Sequence, residues 1–162
     1  MKKISIVSLL LGLFFSLHAW AGAGINVVDP WVRAAPPTVQ SMAAYMAIEN
    51  SGSAPMTLVE VRSPSFLKIE LHQTTMVNGL AGMVPQKNMV IDPGARVELK
   101  PGSYHLMLLT PQTPIREGGR VPLTLVFGDG SRVEVEAVVR KDAQGQDSSG
   151  HPAGHAPGHD MH

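Results

Sequence analysis

Short runs of alternating apolar and polar residues, separated by turn sequences, occupy most of this chain of 162 residues. Strands that recur at this spacing are typical of a sandwich or barrel, and no segment shows a long apolar period of 3.6 residues. We therefore predict an all-β fold, a Greek-key β-sandwich or β-barrel, from about residue 25 to residue 141. The turn signals combine Gly, Pro, Asn, Asp and Ser and lie at residues 50–53, 92–94, 100–103 and 128–131.

The strand pattern also predicts a hairpin and a core. Val121–Phe127 and Arg132–Val139 flank the last turn and favour a hairpin. Aromatic residues are sparse, so the core must consist mainly of Val, Leu, Ile and Met. Trp31 is expected to be a core or edge anchor, since large aromatic rings are seldom left in water. Scattered thioether side chains usually fill the core, and we expect this of Met42, Met46, Met56 and Met89.

The N-terminus predicts export. Two lysines precede an uncharged apolar run from Ile4 to Leu17, and the small-x-small sequence Ala19-Trp20-Ala21 follows. This is the pattern of a cleaved signal peptide, and the run is shorter than the roughly 20 residues that span a bilayer. No later segment looks transmembrane, so no membrane insertion is expected after cleavage. The predicted organisation is a signal peptide at residues 1–21, a β domain at residues 22–141 and a tail at residues 142–162.

Charge and cysteine content exclude several functions. The formal net charge is zero and only 16% of residues are charged, so nothing indicates binding to nucleic acid. The chain has no cysteine, which removes a disulfide framework and any thiolate metal site. Copper electron carriers that need a cysteine ligand are thereby excluded.

Two histidines and two methionines form a chemically specific set. Ten residues separate His72 from Met83, twenty-one separate Met83 from His105, and one separates His105 from Met107. Thioether sulfur is a soft, neutral ligand that suits monovalent copper, and imidazole also binds copper well. A metal site without thiols cannot lose its ligands to disulfide formation in an oxidising compartment. The set predicts a Cu(I) site.

Strand alternation predicts where these ligands point. His105 and Met107 share the face opposite Leu106, while His72 is expected on the polar face of its strand, near the strand end. Met83 lies in a Gly-containing stretch that could be a loop or an irregular hairpin folding back over that strand end.

Two neighbours of these ligands leave alternatives open. Glu70 is expected to be a solvated charge, with orientation of the His72 imidazole as the alternative. Met76 is expected to pack, with a role as secondary ligand or shield as the alternative.

The composition changes after Lys141. Residues 142–150 contain little that could be buried, and a His-rich segment interrupted by Pro and Gly follows. We predict a disordered tail that binds metal, because Pro and Gly disfavour a helix and His-rich tracts are typical of metal binding. Cu(II) prefers nitrogen and oxygen ligands, so the tail is the candidate Cu(II) site. Its candidate ligands are His151, His155, His159, Met161 and His162.

The His72, Met83 and His105-Leu106-Met107 spacing resembles that of the periplasmic copper-A chaperone family, PCu(A)C. The contexts Glu70-Leu71-His72 and Met76-Val77-Asn78-Gly79 are also similar, and Ala81 departs from the further Met that many relatives carry outside the motif. The resemblance covers nearly all of the mature body. It implies a cupredoxin-like fold and a periplasmic protein that delivers Cu(I) to the copper-bearing subunit of cytochrome c oxidase, sometimes with a thiol-bearing copper chaperone as a partner.

Three functions remain to be compared at this point. The first is a copper chaperone, with copper sequestration or supply to other copper enzymes as its variants. The second is a copper enzyme, which we do not expect because two thioethers favour Cu(I) over turnover through Cu(II). The third is an interaction sandwich with an accidental motif, which stoichiometric Cu(I) titration would reveal.

Overall fold

All regular elements of the computed structural model, which describes residues 24–36 and 38–141, are β-strands. The predicted all-β class is confirmed, and the described ranges contain no helix that is long and apolar enough to cross a membrane. The predicted signal peptide and tail lie outside these ranges. The strands are β1 Ile25–Arg33, β2 Ser41–Asn50, β3 Met56–Arg62, β4 Phe66–Val77, β5 Leu80–Gln86, β6 Met89–Ile91, β7 Arg96–Leu99, β8 Tyr104–Pro111, β9 Arg120–Phe127 and β10 Arg132–Arg140.

The strands form one strongly curved sheet. Their order is β5-β4-β8-β7-β2-β1-β10-β9-β3-β6, and β2 pairs with both β7 and β8. Although β3 and β4 lie near opposite ends of this order, apolar side chains from both belong to one core cluster. They also line a shared cavity of about 240 Å³. The sheet therefore curls back on itself, with a seam between β3 and β4.

The core follows the alternation of the sequence. Leu106 and Leu108 are fully buried on the inner face of β8, and Leu123, Leu125 and Phe127 are buried on β9. The expected packing methionines are confirmed, since Met42, Met46 and Met89 are buried and Met56 packs against the core. The anchor role of Trp31 is also confirmed, because the buried indole packs against Tyr45 with ring centroids 4.6 Å apart.

The β9–β10 hairpin confirms the prediction, with Arg132–Val138 paired to Arg120–Val126. The hairpin of β4 and β5 corrects the prediction for the stretch around Met83. Seven consecutive pairs run from Leu71↔Gln86 to Val77↔Leu80, so the stretch that contains Met83 is a regular strand rather than a loop or irregular hairpin.

A two-residue turn explains this regularity. Asn78 and Gly79 have φ values of 51° and 79°. Positive φ at both central residues is the requirement of a type I′ turn, whose twist matches that of paired strands. β4 consequently continues five residues beyond His72. The expectation that His72 lies near a strand end was therefore wrong.

Candidate metal centre

Strand register brings the four candidate ligands to one face of the sheet. His72 on β4 lies directly opposite His105 on β8, and Met107 lies opposite Glu70. Across the other edge of β4, Met83 lies opposite Thr74. Residues two apart on a strand share a face, and residues directly opposite each other across a ladder do so as well. The two imidazoles and two thioethers therefore lie on the same face of β5, β4 and β8.

The two imidazoles lie close together, and each thioether neighbours His72 across one edge of β4. The imidazole centroids of His72 and His105 are 5.9 Å apart, with the ring planes inclined by 42°. Side chains directly opposite on antiparallel strands have Cβ atoms about 5 Å apart, and diagonal neighbours about 7–8 Å apart. Met83 and Met107 are diagonal neighbours of His72, and a long thioether side chain can span that diagonal distance.

The site is buried at the imidazoles and open at one thioether. His72 is 9% exposed and His105 is 6% exposed, whereas Met83 on edge strand β5 is 59% exposed. His72 lies on the predicted polar face of its strand, which it shares with Lys68 and Glu70. Its ring is on the face away from the core but is buried, because β5 and β8 flank it on both sides and Glu70 lies against it.

A surface pocket of about 350 Å³ adjoins His105. Met83, His105 and Met107 line it, together with Thr74. The remaining walls come from the β1–β2 connection, the start of β2 and the turn before β8: Arg33, Ala34, Ala35, Ser41, Met42, Ala43, Tyr45, Pro101 and Gly102. Three of the four candidate ligand residues thus line one opening to solvent, and His72 is not among its lining residues.

Glu70 fixes one nitrogen of His72. The Nε2 atom of His72 lies 2.9 Å from Oε2 of Glu70, while its Nδ1 atom is buried without a hydrogen-bond partner. The other carboxylate oxygen of Glu70 forms an ion pair with Lys68. Hydrogen bonding to Lys68, and secondarily to His72, lowers the pKa of Glu70. The expectation that Glu70 is merely a solvated charge was wrong, and the alternative role of orienting the imidazole fits the geometry.

A backbone carbonyl fixes one nitrogen of His105. Nδ1 of His105 lies 3.2 Å from the carbonyl oxygen of Ser103, which also accepts a hydrogen bond from the Thr74 backbone amide at 3.1 Å. Since a carbonyl oxygen only accepts, Nδ1 carries the proton and the lone pair of the neutral ring is on Nε2. A histidine with one nitrogen held in this way is prepared to bind a metal through the other.

The donor set fits monovalent copper. Within residues 24–36 and 38–141, no group of three or more His, Cys, Asp or Glu side chains is placed to hold a metal ion. The candidate site instead joins two imidazoles with two thioethers, a soft and neutral set that matches Cu(I). The candidate tail ligands His151, His155, His159, Met161 and His162 lie outside the residues that the structure describes.

Met76 does not pack in the core. Its side chain is exposed, on the same face of β4 as His72 and Thr74, near the tip of the hairpin. The expectation of packing was therefore wrong for this residue. The neighbouring Val77 and Leu80 are exposed as well, so the edge next to Met83 is an uncharged apolar surface.

Sequence reasoning did not identify Tyr45 as part of the pocket. Ala43 pairs with Met107 across β2 and β8, and Tyr45 lies two residues further along the same face. Burial raises the pKa of Tyr45, partly opposed by the positive charge of Arg33. The alternation of side chains along β2 can be recognised in the sequence, but the pairing of β2 with β8 cannot.

The last described residues lie beside the same pocket. The Ala34 backbone amide donates a hydrogen bond of 2.9 Å to the Arg140 carbonyl, and Ala34 lines the pocket. β10 thus ends next to one wall of the candidate site, immediately before the sequence of the predicted metal-binding tail begins.

Known proteins resemble this chain in sequence and in fold. A family model described as "Putative lipoprotein LpqE-like" matches residues 25–139. A protein described as a "putative lipoprotein" of Leifsonia xyli is 32% identical over 155 residues, covering 90% of this chain and 92% of its own.

Two solved structures are similar to this chain in fold. The copper-bound PCuAC domain from PmoF2 is 25% identical, with a TM-score of 0.62, over 74% of this chain and 94% of its own. The solution structure of Cu(I)-DR1885 from Deinococcus radiodurans is 28% identical, with a TM-score of 0.53, over 73% of this chain and 77% of its own. These likenesses confirm the predicted cupredoxin-like β fold.

Proposed function

Because this chain belongs to the LpqE-like family and shares its fold with copper-binding PCuAC domains, we propose that it is a copper chaperone. Its cargo is one Cu(I) ion, bound by His72, Met83, His105 and Met107. The observation that carries the proposal is the register of β5, β4 and β8, which puts two imidazoles and two thioethers on one face. Thioether sulfur is a soft ligand that suits a soft monovalent cation, and the imidazoles can bind the ion when they are unprotonated.

The uneven burial of the ligands supports transfer rather than permanent storage. The two imidazoles are buried between paired strands, while the Met83 side chain is exposed at the edge of the sheet. An incoming ligand from an acceptor protein can replace the exposed thioether first, while the imidazoles still hold the ion. The uncharged apolar surface at the hairpin tip lies on the side from which such an acceptor approaches.

The proposed acceptor is the copper-bearing subunit of cytochrome c oxidase, and a thiol-bearing copper chaperone is the second proposed partner. The lipoprotein description of the family and of its relative supports export, and we place the protein in the periplasm. A periplasmic sequestration protein, or a supplier to other copper enzymes, would use the same ligands. We propose no enzymatic activity, because two sulfur ligands stabilise Cu(I) against turnover through Cu(II).

Copper transfer tests the proposed function. The exported chain, loaded with one equivalent of Cu(I), is mixed anaerobically with the isolated apo copper domain of the oxidase subunit, and the copper content of each protein is measured after separation. We expect most of the copper to move to the acceptor. The matched control is a Cu(I) salt of the same total concentration held by a small-molecule chelator of equal affinity, which should load the acceptor more slowly. Retention of copper by the chain would contradict delivery and favour sequestration.

A further inference from the structure

The Glu70 carboxylate bridges two side chains of its own strand. Lys68, Glu70 and His72 are spaced two apart on β4 and therefore share a face. One carboxylate oxygen lies 2.5 Å from the Lys68 ammonium nitrogen, and the other lies 2.9 Å from Nε2 of His72. Both oxygens have partners, so the carboxylate is held in place from two sides.

This contact determines which nitrogen of His72 carries the proton. An ionised carboxylate can only accept hydrogen bonds, so Nε2 must donate, and the lone pair of the neutral ring is then on Nδ1. Nδ1 is buried and has no hydrogen-bond partner among the described residues. Buried polar atoms in native proteins are rarely left without a partner, and a bound ligand is one accepted reason for the exception.

His105 has the opposite arrangement. Its Nδ1 donates to the Ser103 carbonyl, which leaves the lone pair on Nε2. We propose that Glu70 is a positioning residue that sets the tautomer of His72, so that His72 binds copper through Nδ1 and His105 binds it through Nε2. This inference rests on the proposed Cu(I) site and adds to it a residue outside the ligand set.

The arrangement has two physical consequences for copper binding. A carboxylate that accepts the remote N–H of a ligating imidazole fixes the ring orientation and raises the basicity of the other nitrogen. The negative charge of Glu70 also lies beside the site, where it favours a bound cation to the extent that the charge of Lys68 does not offset it. Nδ1 is the nitrogen closer to the backbone, so His72 supplies the deep ligand of the site and Met83 the exposed one.

The first test replaces the carboxylate by an amide of the same shape. Glu70→Gln removes the charge, and its amide can donate to Nε2, which favours the wrong tautomer. We expect Cu(I) affinity to fall by about 10–100-fold, the usual effect of removing such a partner of a ligand. The matched control is Glu98→Gln, since Glu98 on β7 pairs at 2.9 Å with Lys100, two residues further along the chain, and at 3.5 Å with Arg96, rather than with a histidine. The Cu(I) affinity of the Glu98→Gln variant should equal that of the unmodified chain.

The second test observes the ring nitrogens directly. Cu(I) is diamagnetic, so ¹⁵N resonances of the imidazoles can be followed by NMR in the apo and loaded forms. We expect His72 to be protonated at Nε2 in both forms, with Nδ1 shifting when Cu(I) binds. In Glu70→Gln, the apo His72 ring should shift toward the Nδ1–H tautomer while the thermal unfolding midpoint stays nearly unchanged.

Several results would overturn the inference. Higher Cu(I) affinity in Glu70→Gln would mean that the carboxylate competes with copper for Nε2, and a Cu(I)-induced shift at Nε2 would mean the same. Unchanged affinity in Glu70→Gln, together with loss of binding in His72→Ala, would reject the positioning role alone. Unchanged binding in His72→Ala would instead reject the ligand set of the proposed function, so the two failures are distinguishable.

Discussion

Replacement of His105 by alanine is expected to lower Cu(I) affinity by roughly 100-fold or more, since loss of a ligand should exceed the 10–100-fold effect of losing a hydrogen-bond partner of a ligand. His105 is the proposed ligand directly opposite His72, and its Nδ1 is already held by the Ser103 carbonyl. The measurement is a competition titration of Cu(I) against a chelator of known affinity, at a temperature well below the unfolding midpoint of the variant.

The control for this prediction is Met89→Ala. Met89 is a buried core methionine on β6 and is not among the residues that line the pocket of the candidate site. Truncation of a buried methionine typically lowers the free energy of unfolding by about 2–5 kcal/mol. We expect Met89→Ala to lower stability but leave Cu(I) affinity within a few-fold. Equal losses of affinity in both variants would argue that destabilisation, rather than ligand removal, explains the effect.

Deletion of residues 146–162 is expected to remove most Cu(II) binding while leaving Cu(I) affinity nearly intact. The tail contributes His151, His155, His159 and His162, whose nitrogen atoms suit the harder Cu(II) ion. The body site, with two sulfur ligands, should prefer Cu(I). Separate titrations with Cu(II), and with Cu(I) under a reductant, measure the two effects.

The structure gives a reason to expect cooperation between tail and body. β10 ends next to Ala34, which lines the same pocket as His105. If the tail is disordered as predicted, a tether of about ten residues explores a radius of roughly 15–20 Å, which would keep tail-bound copper close to the body site. The truncated chain should therefore load more slowly from dilute Cu(II) plus reductant. If the truncated chain binds Cu(II) as tightly as the full chain, the proposed division of labour is wrong.

Local features of the site could be predicted because they depend on one strand at a time. The period of two along a strand places His105 and Met107 on one face, opposite Leu106 and Leu108. The same alternation, together with the Gly, Pro and Asp turns, predicted the all-β class and the β9–β10 hairpin.

Non-local features could not be predicted in this way. The pairing of β4 with β8, which sets His72 against His105, joins segments more than thirty residues apart in a register that alternation does not specify. The burial of His72, its contact with Glu70 and the position of Tyr45 depend on that pairing. The regular β4–β5 hairpin is different, because Asn78-Gly79 is a strong local signal for a two-residue turn and was available in the sequence.

X-ray absorption of the Cu(I)-loaded chain lacking residues 146–162 is the most direct test of the central claim. Without the tail, the copper signal reports on the body site alone. The account predicts one Cu(I) ion with a mixed first shell of two nitrogen and two sulfur scatterers, and loss of one sulfur scatterer in Met83→Ala. A first shell without sulfur would contradict the assignment of His72, Met83, His105 and Met107 as the copper site.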